Sequence, residues 1–120
     1  MDVSGDGVAD IVYGHDPTGR LLLRKGIAAS TGGVSLTSLA AAANSSGGAD
    51  TEYGFSGWSS SAIPLLMGTP DVNSDGIPDI WAVISTGQVR FYAGSKTALS
   101  GSGTEIVTPK TYWKTRIAIG

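Results

Sequence analysis

Short apolar runs bounded by glycine, serine or aspartate divide the chain into candidate β-strands. Between positions 88 and 93 apolar and polar residues alternate, so that Val89 and Phe91 fall on one face of an extended strand. Leu21, Leu22 and Leu23 are apolar on both faces and predict a strand that is buried on both sides. The longest apolar runs are about five residues, which is too short for insertion into a membrane. The pattern predicts an all-β protein built from short strands.

The strand pattern occurs twice along the chain. Each copy has a strand, a Thr-Gly turn and a second strand that ends in glycine. The turns end at Gly19 and Gly87, and the second strands end at Gly26 and Gly94. The copies are offset by 68 residues at these turns and by 69 residues at the segments that precede them. A repeat on this scale is typical of proteins that stack similar structural units.

A tryptophan followed by an apolar stretch precedes the second copy and recurs near the end of the chain. Trp58 leads to the apolar residues 63–68, and Trp113 leads to residues 117–120. We expect both stretches to form the inner strand of a sheet. The connection 27–57 reads mostly as loop, and within it residues 36–43 fit either an outer strand or a short helical turn.

Negative charge is concentrated in two short windows. The 120 residues include eight Lys and Arg, ten Asp and Glu and no cysteine, which allows one modest domain and excludes disulfides and thiolate metal sites. Six of the eight aspartates lie in residues 2–10, the first acidic loop, and in residues 71–79, the second acidic loop. The basic residues are scattered, so nucleic-acid binding is not indicated.

Both acidic loops follow the pattern D-x-[SN]-x-D-G-x-x-D. The glycine at position 6 permits a tight turn that lets oxygen side chains at positions 1, 3, 5 and 9 converge, and position 7 would add a backbone carbonyl. Clustered carboxylates repel one another unless a cation lies between them, and an all-oxygen set with flexible spacing suits Ca²⁺ better than Mg²⁺ or zinc. The alternative is a pair of Asp/Gly turns without an ion. The pattern predicts two calcium ions per chain, held by Asp2, Ser4, Asp6, Val8 and Asp10 and by Asp71, Asn73, Asp75, Ile77 and Asp79.

An EF-hand does not account for these loops. Position 12 would be Val12 or Ala82, where an EF-hand needs a bidentate glutamate. The loops also lead into apolar strands rather than lying between two helices.

The acidic loops and the strands that follow them resemble the FG-GAP/VCBS repeat of integrin-alpha-type propellers, fungal lectins and many secreted bacterial proteins. The resemblance is specific in the loops and weak between residues 27 and 57. It implies a β-propeller in which the loop between the first and second strands of each blade binds Ca²⁺. Ser4 departs from the Asp or Asn that is commoner at its position in the family, so we expect the first site to be the weaker one.

Two repeats imply two four-stranded antiparallel blades. One blade would span about 2–57, completed by the inner strand 114–120 of a neighbouring copy, and the other about 58–113. Propellers usually close with about 4–8 blades, so we expect self-assembly with strand exchange, in which three copies give six blades or four copies give eight. The alternative is that the chain is a segment of a longer propeller. The resemblance implies a secreted, extracellular protein, although the chain shows no signal-peptide pattern and reads as a segment or an engineered repeat.

An enzymatic function has little support in the sequence. His15 is the single histidine and reads as a surface residue of a hairpin, and neither a nucleophile elbow nor a phosphate loop occurs. We therefore expect a non-enzymatic calcium-binding module. The alternatives are a carbohydrate-binding lectin, with Tyr53, Phe55 and Tyr112 as candidate sugar contacts, and a protein-interaction propeller of the adhesion type.

Overall fold

A computed structural model describes residues 1–40, 50–99 and 101–119 of the chain. They form two antiparallel sheets and two short helices, α1 (Leu36–Ala40) and α2 (Thr111–Lys114). The first sheet has the strand order β1 (Ile11–His15), β2 (Arg20–Arg24) and β3 (Asp50–Gly54). The second sheet has the strand order β4 (Leu65–Thr69), β5 (Asp79–Val83), β6 (Val89–Tyr92) and β7 (Thr104–Val107). The expected all-β class is confirmed.

Matching hairpins form the centre of both sheets. Val12 of β1 pairs with Leu23 of β2, and Trp81 of β5 pairs with Phe91 of β6. The turn between β1 and β2 contains Gly19 at φ +65°, and the corresponding turn of the second sheet contains Gly87 at φ +84°. Glycine adopts this left-handed backbone conformation without the steric cost that a Cβ atom imposes.

A register shift recurs at the same place in both sheets. It lies between Leu21 and Leu22 where β2 pairs with β3, and between Val89 and Arg90 where β6 pairs with β7. Such irregularities bend a strand and increase its local twist. The outer strands of the two sheets therefore leave their hairpins at equivalent points.

The two sheets pack on one hydrophobic core. Leu21 and Leu23 of the first sheet and Ile80 and Ala82 of the second are all within 1% of complete burial. Removal of an aliphatic side chain of this size from water contributes about 1.5–3 kcal/mol. The Trp58 ring packs against the second sheet, with its centroid 4.8 Å from that of Tyr92.

Tyr53 also links the two sheets through hydrogen bonds. Its side chain is completely buried, and its hydroxyl donates to the carbonyl oxygen of Ser95 at 2.7 Å and accepts the Ser95 amide at 2.9 Å. The Leu99 amide donates to the Tyr53 carbonyl at 2.6 Å. Burial raises the pKa of the Tyr53 hydroxyl, so it remains protonated and able to donate.

The first sheet has three strands from this chain, and residues 117–119, expected to form an inner strand, form no strand among the described residues. Residue 120 lies outside the described residues. Residues 36–40 form α1, which decides between the helical turn and the outer strand for this part of the segment. Residues 41–43 lie outside the described residues.

Trp113 does not occupy the position equivalent to Trp58. The Trp58 amide donates to the Gly19 carbonyl at 2.9 Å, and the Lys110 amide donates to the Gly87 carbonyl at 3.1 Å. Lys110 therefore holds the place of Trp58, and Trp113 lies three residues further along, on α2. Trp58 and Trp113 match in residue type only, whereas the backbone hydrogen bond defines the equivalent positions.

Candidate metal centre

The first acidic loop is folded around the carboxylate of Asp2. Its Oδ1 accepts the Gly5 amide at 2.7 Å, and its Oδ2 accepts the Gly7 amide at 2.8 Å. Asp6 continues the turn, with Oδ1 accepting the Val8 amide at 2.9 Å. Gly5 and Gly7 have φ values of +73° and +85°, which explains why glycine suits both positions.

The second acidic loop repeats this arrangement. Asp71 Oδ1 accepts the Asp75 amide at 3.1 Å, and Asp71 Oδ2 accepts the Gly76 amide at 2.8 Å. Asp75 Oδ1 accepts the Ile77 amide at 2.9 Å, as Asp6 does at its own position. The main local difference is Ser74, a non-glycine residue at φ +65° where the first loop has Gly5.

The last aspartate of each loop is buried and fixes the loop to its hairpin. Asp10 is 5% exposed, and its Oδ1 accepts the Gly26 amide at 3.0 Å. Asp79 has no exposed surface, and its Oδ1 accepts the Gly94 amide at 2.8 Å. The other carboxylate oxygen accepts an amide from the beginning of its own loop, at Ser4 or at Val72. Each loop is thereby held at both ends by one carboxylate.

The glycine that ends each hairpin is required by close backbone packing. A Cβ atom on Gly26 would lie 2.2 Å from the Ala9 carbonyl oxygen, and one on Gly94 would lie 1.9 Å from the Pro78 carbonyl oxygen. No side chain fits at either position without movement of the backbone. The repeated glycines were visible in the sequence, but their partners were not, because the contact joins residues about 16 positions apart.

The expected calcium ligands differ in their exposure to solvent. Asp6, Asp71, Asn73 and Asp75 are exposed, Asp2 and Ser4 are half-buried, and the last aspartates are buried. The side chains of Val8 and Ile77 are half-buried, and Ile77 packs on the shared core. Within residues 1–40, 50–99 and 101–119, no three acidic or histidine side chains converge as a metal-binding group. The carboxylates instead accept hydrogen bonds from the amides of their own loops.

Ser4 provides a test of whether the first loop fits a cation. Its Oγ is buried and has no hydrogen-bond partner among the described residues. A buried hydroxyl without a partner costs roughly 1–3 kcal/mol, so such atoms usually face a water or an ion. Oxygen donors from carboxylate, hydroxyl and carbonyl groups are those that Ca²⁺ takes. The donor chemistry of the first loop therefore fits a calcium ion.

A lysine from the second half of the chain lies against the first loop. A Cβ atom on Gly5 would be 3.0 Å from Lys96 Cε and 3.4 Å from Lys96 Nζ. This contact cannot be predicted from the sequence, because Lys96 lies beyond β6 and far from the first acidic loop along the chain. The positive charge of Lys96 repels a cation and therefore weakens the binding of Ca²⁺ by the first acidic loop.

The candidate sugar contacts differ sharply in exposure. Tyr53 is buried in the core with its hydroxyl bonded to Ser95, so its ring is not available to a ligand. Tyr112 is 62% exposed, but the Arg116 guanidinium lies 4.1 Å from its ring centroid and covers one face. Phe55 is 77% exposed. Of the three aromatic residues, Phe55 is the most open to solvent.

A groove lies beside the second sheet, where the connection between β3 and β4 meets β6 and the segment before β7. It encloses about 490 Å³ and is lined by aromatic and polar side chains, among them Trp58, Tyr92, Gln88, Arg90, Ser56 and Ser102. Arg90 is held in place by hydrogen bonds to the carbonyl oxygens of Ser102 and Gly103, at 2.7 and 2.8 Å. The two aromatic rings of the lining are largely buried, with Trp58 8% and Tyr92 7% exposed.

His15 lies in the first hairpin, as expected. Its Nδ1 is 2.8 Å from Thr18 Oγ1 across the turn. The neighbouring Asp16 accepts hydrogen bonds from the Ser60 amide and hydroxyl, which lower the pKa of its carboxyl group. These contacts stabilise the turn.

No protein-family model, no curated protein and no solved structure matches the chain. The resemblance to the FG-GAP/VCBS repeat therefore remains a prediction that rests on the loops and their strands. Neither helix of the described residues has the length and apolar character needed to cross a membrane.

Proposed function

We propose that this protein is a non-enzymatic, calcium-stabilised β-sheet module of the propeller type, with one Ca²⁺ in each acidic loop. The observation that carries the proposal is the duplicated loop. In both copies the first aspartate organises the turn, and the last aspartate is buried at the start of a hairpin. The buried, unpartnered hydroxyl of Ser4 supports an ion in the first copy.

The aspartates of each acidic loop have distinct roles in the proposed calcium site. Asp2 and Asp71 set the turn with bonds to backbone amides, and these oxygens retain a lone pair for an ion. The exposed Asp6 and Asp75 lie where a cation from solvent can reach them. Bound Ca²⁺ would offset the repulsion between the carboxylates and lower the free energy of the folded state.

Thermal unfolding with Ca²⁺ and with EDTA tests this function. An ion present at about 100 times its dissociation constant adds roughly 2.7 kcal/mol to the free energy of unfolding. We expect Ca²⁺ to raise the melting temperature, and Asp6→Ala and Asp75→Ala each to reduce the increase. Asp16→Ala is the control, because Asp16 lies outside both loops. Equal melting temperatures with Ca²⁺ and with EDTA would contradict the proposal.

The resemblance supports an extracellular location, and so do the features of the first acidic loop that weaken its binding of Ca²⁺. Extracellular modules with Ca²⁺ sites bind the ion with dissociation constants of about 10⁻⁴–10⁻³ M. The neutral Ser4 and the nearby Lys96 favour weak binding of this kind at the first loop.

Carbohydrate binding is the second candidate function, and the exposed ring of Phe55 and the groove beside the second sheet favour it. In the groove, Gln88 and Arg90 are polar lining residues, whereas the rings of Trp58 and Tyr92 are largely buried. A glycan array tests this function. Binding that is weakened by Gln88→Ala, with the fold retained, would support the groove as the site. Binding weakened by Phe55→Ala instead would place the sugar at the exposed ring.

A further inference from the structure

The hairpins of the two sheets can be aligned through their register. Val12 pairs with Leu23 and Trp81 pairs with Phe91, so Leu23 and Phe91 hold equivalent positions in β2 and β6. We call the face of each sheet that carries these residues its front face. Neighbouring residues of a strand point to opposite sides, so the residues between them form the back face.

The shared core joins the front face of the first sheet to the back face of the second. Leu23 enters the core from the first sheet. Ile80 and Tyr92 enter it from the second sheet, where they pair with each other and alternate with Trp81 and Phe91. A contact between unlike faces is head-to-tail, and it leaves one front face and one back face for a further contact of the same kind.

The remaining front face, on the second sheet, is apolar. Met67, Trp81 and Phe91 lie side by side across β4, β5 and β6, with the Trp81 and Phe91 rings 5.3 Å apart. In this chain the segment that follows α2 covers part of this face. A cavity of about 210 Å³ remains beneath it, lined by Met67, Trp81, Val89, Trp113 and Ile119.

The remaining back face, on the first sheet, also carries apolar side chains. Ile11 is 41% exposed there, and Tyr13 and Leu22 are half-buried. Beside it, β1 pairs only with β2 among the described strands, whereas its counterpart β5 pairs with both β4 and β6. The backbone edge of β1 is therefore open to another strand.

The segment after α2 corresponds to the strand that the first sheet lacks. Trp58 and Lys110 make equivalent hydrogen bonds to the turn glycines, and Leu65 follows Trp58 by seven residues, as Ile117 follows Lys110. Residues 117–119 thus correspond to the first three residues of β4. In this alignment Ile119 corresponds to Met67, and Ile119 already lines the cavity on the front face of the second sheet.

We propose that a second copy of this chain docks the back face of its first sheet on the front face of the second sheet, and that residues 117–119 of the first copy pair with β1 of the second. The proposal rests on the propeller-type module proposed above and specifies its partner. The contact inside the chain provides the template for the contact between copies. It removes Trp81 and Ile11 from water and satisfies the open edge of β1.

Light scattering after size-exclusion chromatography measures the assembly. We expect the wild-type chain to have a mass above that of a single 12.2 kDa chain. Trp81→Glu disables the front face of the second sheet, and Leu22→Glu disables the back face of the first. Because each head-to-tail contact needs one face of each kind, both variants should be monomers. Ile106→Glu, on the outer strand β7, is the matched control and should assemble like the wild type.

A mixture of the two disabled variants tests the head-to-tail geometry. Each variant keeps the face that the other has lost, so the mixture should form one heterodimer and no larger species. Continued self-association of either variant alone would overturn the proposal, as would a wild-type chain that is monomeric at all concentrations. If far-UV circular dichroism shows that Trp81→Glu or Leu22→Glu does not fold, the partly exposed Met67 and Ile11 provide the pair Met67→Glu and Ile11→Glu.

Calcium titration of the same samples separates this proposal from the proposed function. A chain that binds Ca²⁺ but remains monomeric would overturn the docking alone. A chain that assembles equally in EDTA, without binding Ca²⁺, would overturn the calcium function alone.

Discussion

The buried carboxylate of Asp79 accepts the amide hydrogen of Gly94 at 2.8 Å. This bond connects the end of the second acidic loop to the end of the following hairpin. Asp10 and Gly26 make the same connection in the first sheet, at 3.0 Å. The acidic loops are thus parts of the folded framework as well as candidate ion sites, and the two roles can be separated by mutation.

Asp79→Ala should destabilise the protein whether or not calcium is present. The substitution leaves the amides of Gly94 and Val72 without their acceptor, and we expect a loss of about 3 kcal/mol. Denaturant unfolding in EDTA measures it. Asp75→Ala is the matched control, because this exposed carboxylate should cost less than about 1 kcal/mol without the ion. Equal losses in the free energy of unfolding for Asp79→Ala and Asp75→Ala in EDTA would contradict a structural role that is specific to Asp79.

Ser74→Gly should stabilise the protein. Ser74 is held at φ +65°, a conformation that costs a residue with a Cβ atom about 1–2 kcal/mol and costs glycine far less. Allowing for the greater freedom of glycine in the unfolded chain, we expect a gain of about 1 kcal/mol in the free energy of unfolding. The first loop already has Gly5 at this position. Gly5→Ser should give the opposite change, and a destabilised Ser74→Gly would contradict the account of the turn.

Stability should fall in acid partly through Asp50. Arg24 donates to both Asp50 carboxylate oxygens, at 2.7 and 2.8 Å, and these hydrogen bonds lower the pKa of Asp50. A carboxyl group whose pKa is lower in the folded protein adds stability above its unfolded pKa of about 3.9, and this contribution is lost as the pH falls through the folded pKa. Asp50→Asn should reduce stability at neutral pH and flatten its fall below about pH 4. Identical pH profiles for the two proteins would exclude this role.

Lys96→Met should strengthen calcium binding by the first loop. The change removes a positive charge that lies against Gly5 and keeps a side chain of similar length. We expect about a fivefold gain in affinity, which corresponds to removal of roughly 1 kcal/mol of repulsion between the exposed lysine and a divalent ion. Titration in the Asp75→Ala background isolates the first loop, and Lys110→Met serves as the control. Unchanged affinity would show that Lys96 does not influence the loop.

The local pattern of apolar and acidic residues predicted much of the fold, whereas it could not predict contacts between residues that are distant along the chain. The apolar run Leu21–Leu23 identified a strand, but it is fully buried on one face only, because Leu22 is half-buried. The spacing of the aspartates located both loops. Tyr53 is a candidate sugar contact in the sequence but is buried in the structure, and Ser95, the partner of its hydroxyl, lies 42 residues away. Trp113 matches Trp58 in residue type, although it is Lys110 that makes the backbone hydrogen bond equivalent to that of Trp58.

The central claim is that each acidic loop binds one calcium ion, and isothermal titration calorimetry tests it most directly. The wild-type chain should bind two Ca²⁺ per chain, with the second loop the stronger site. Asp6→Ala and Asp75→Ala should each leave one site, and the double variant should leave none while keeping the circular dichroism spectrum of a folded β-protein. Absence of binding by the folded wild-type chain at millimolar Ca²⁺, or two sites retained in the double variant, would contradict the account.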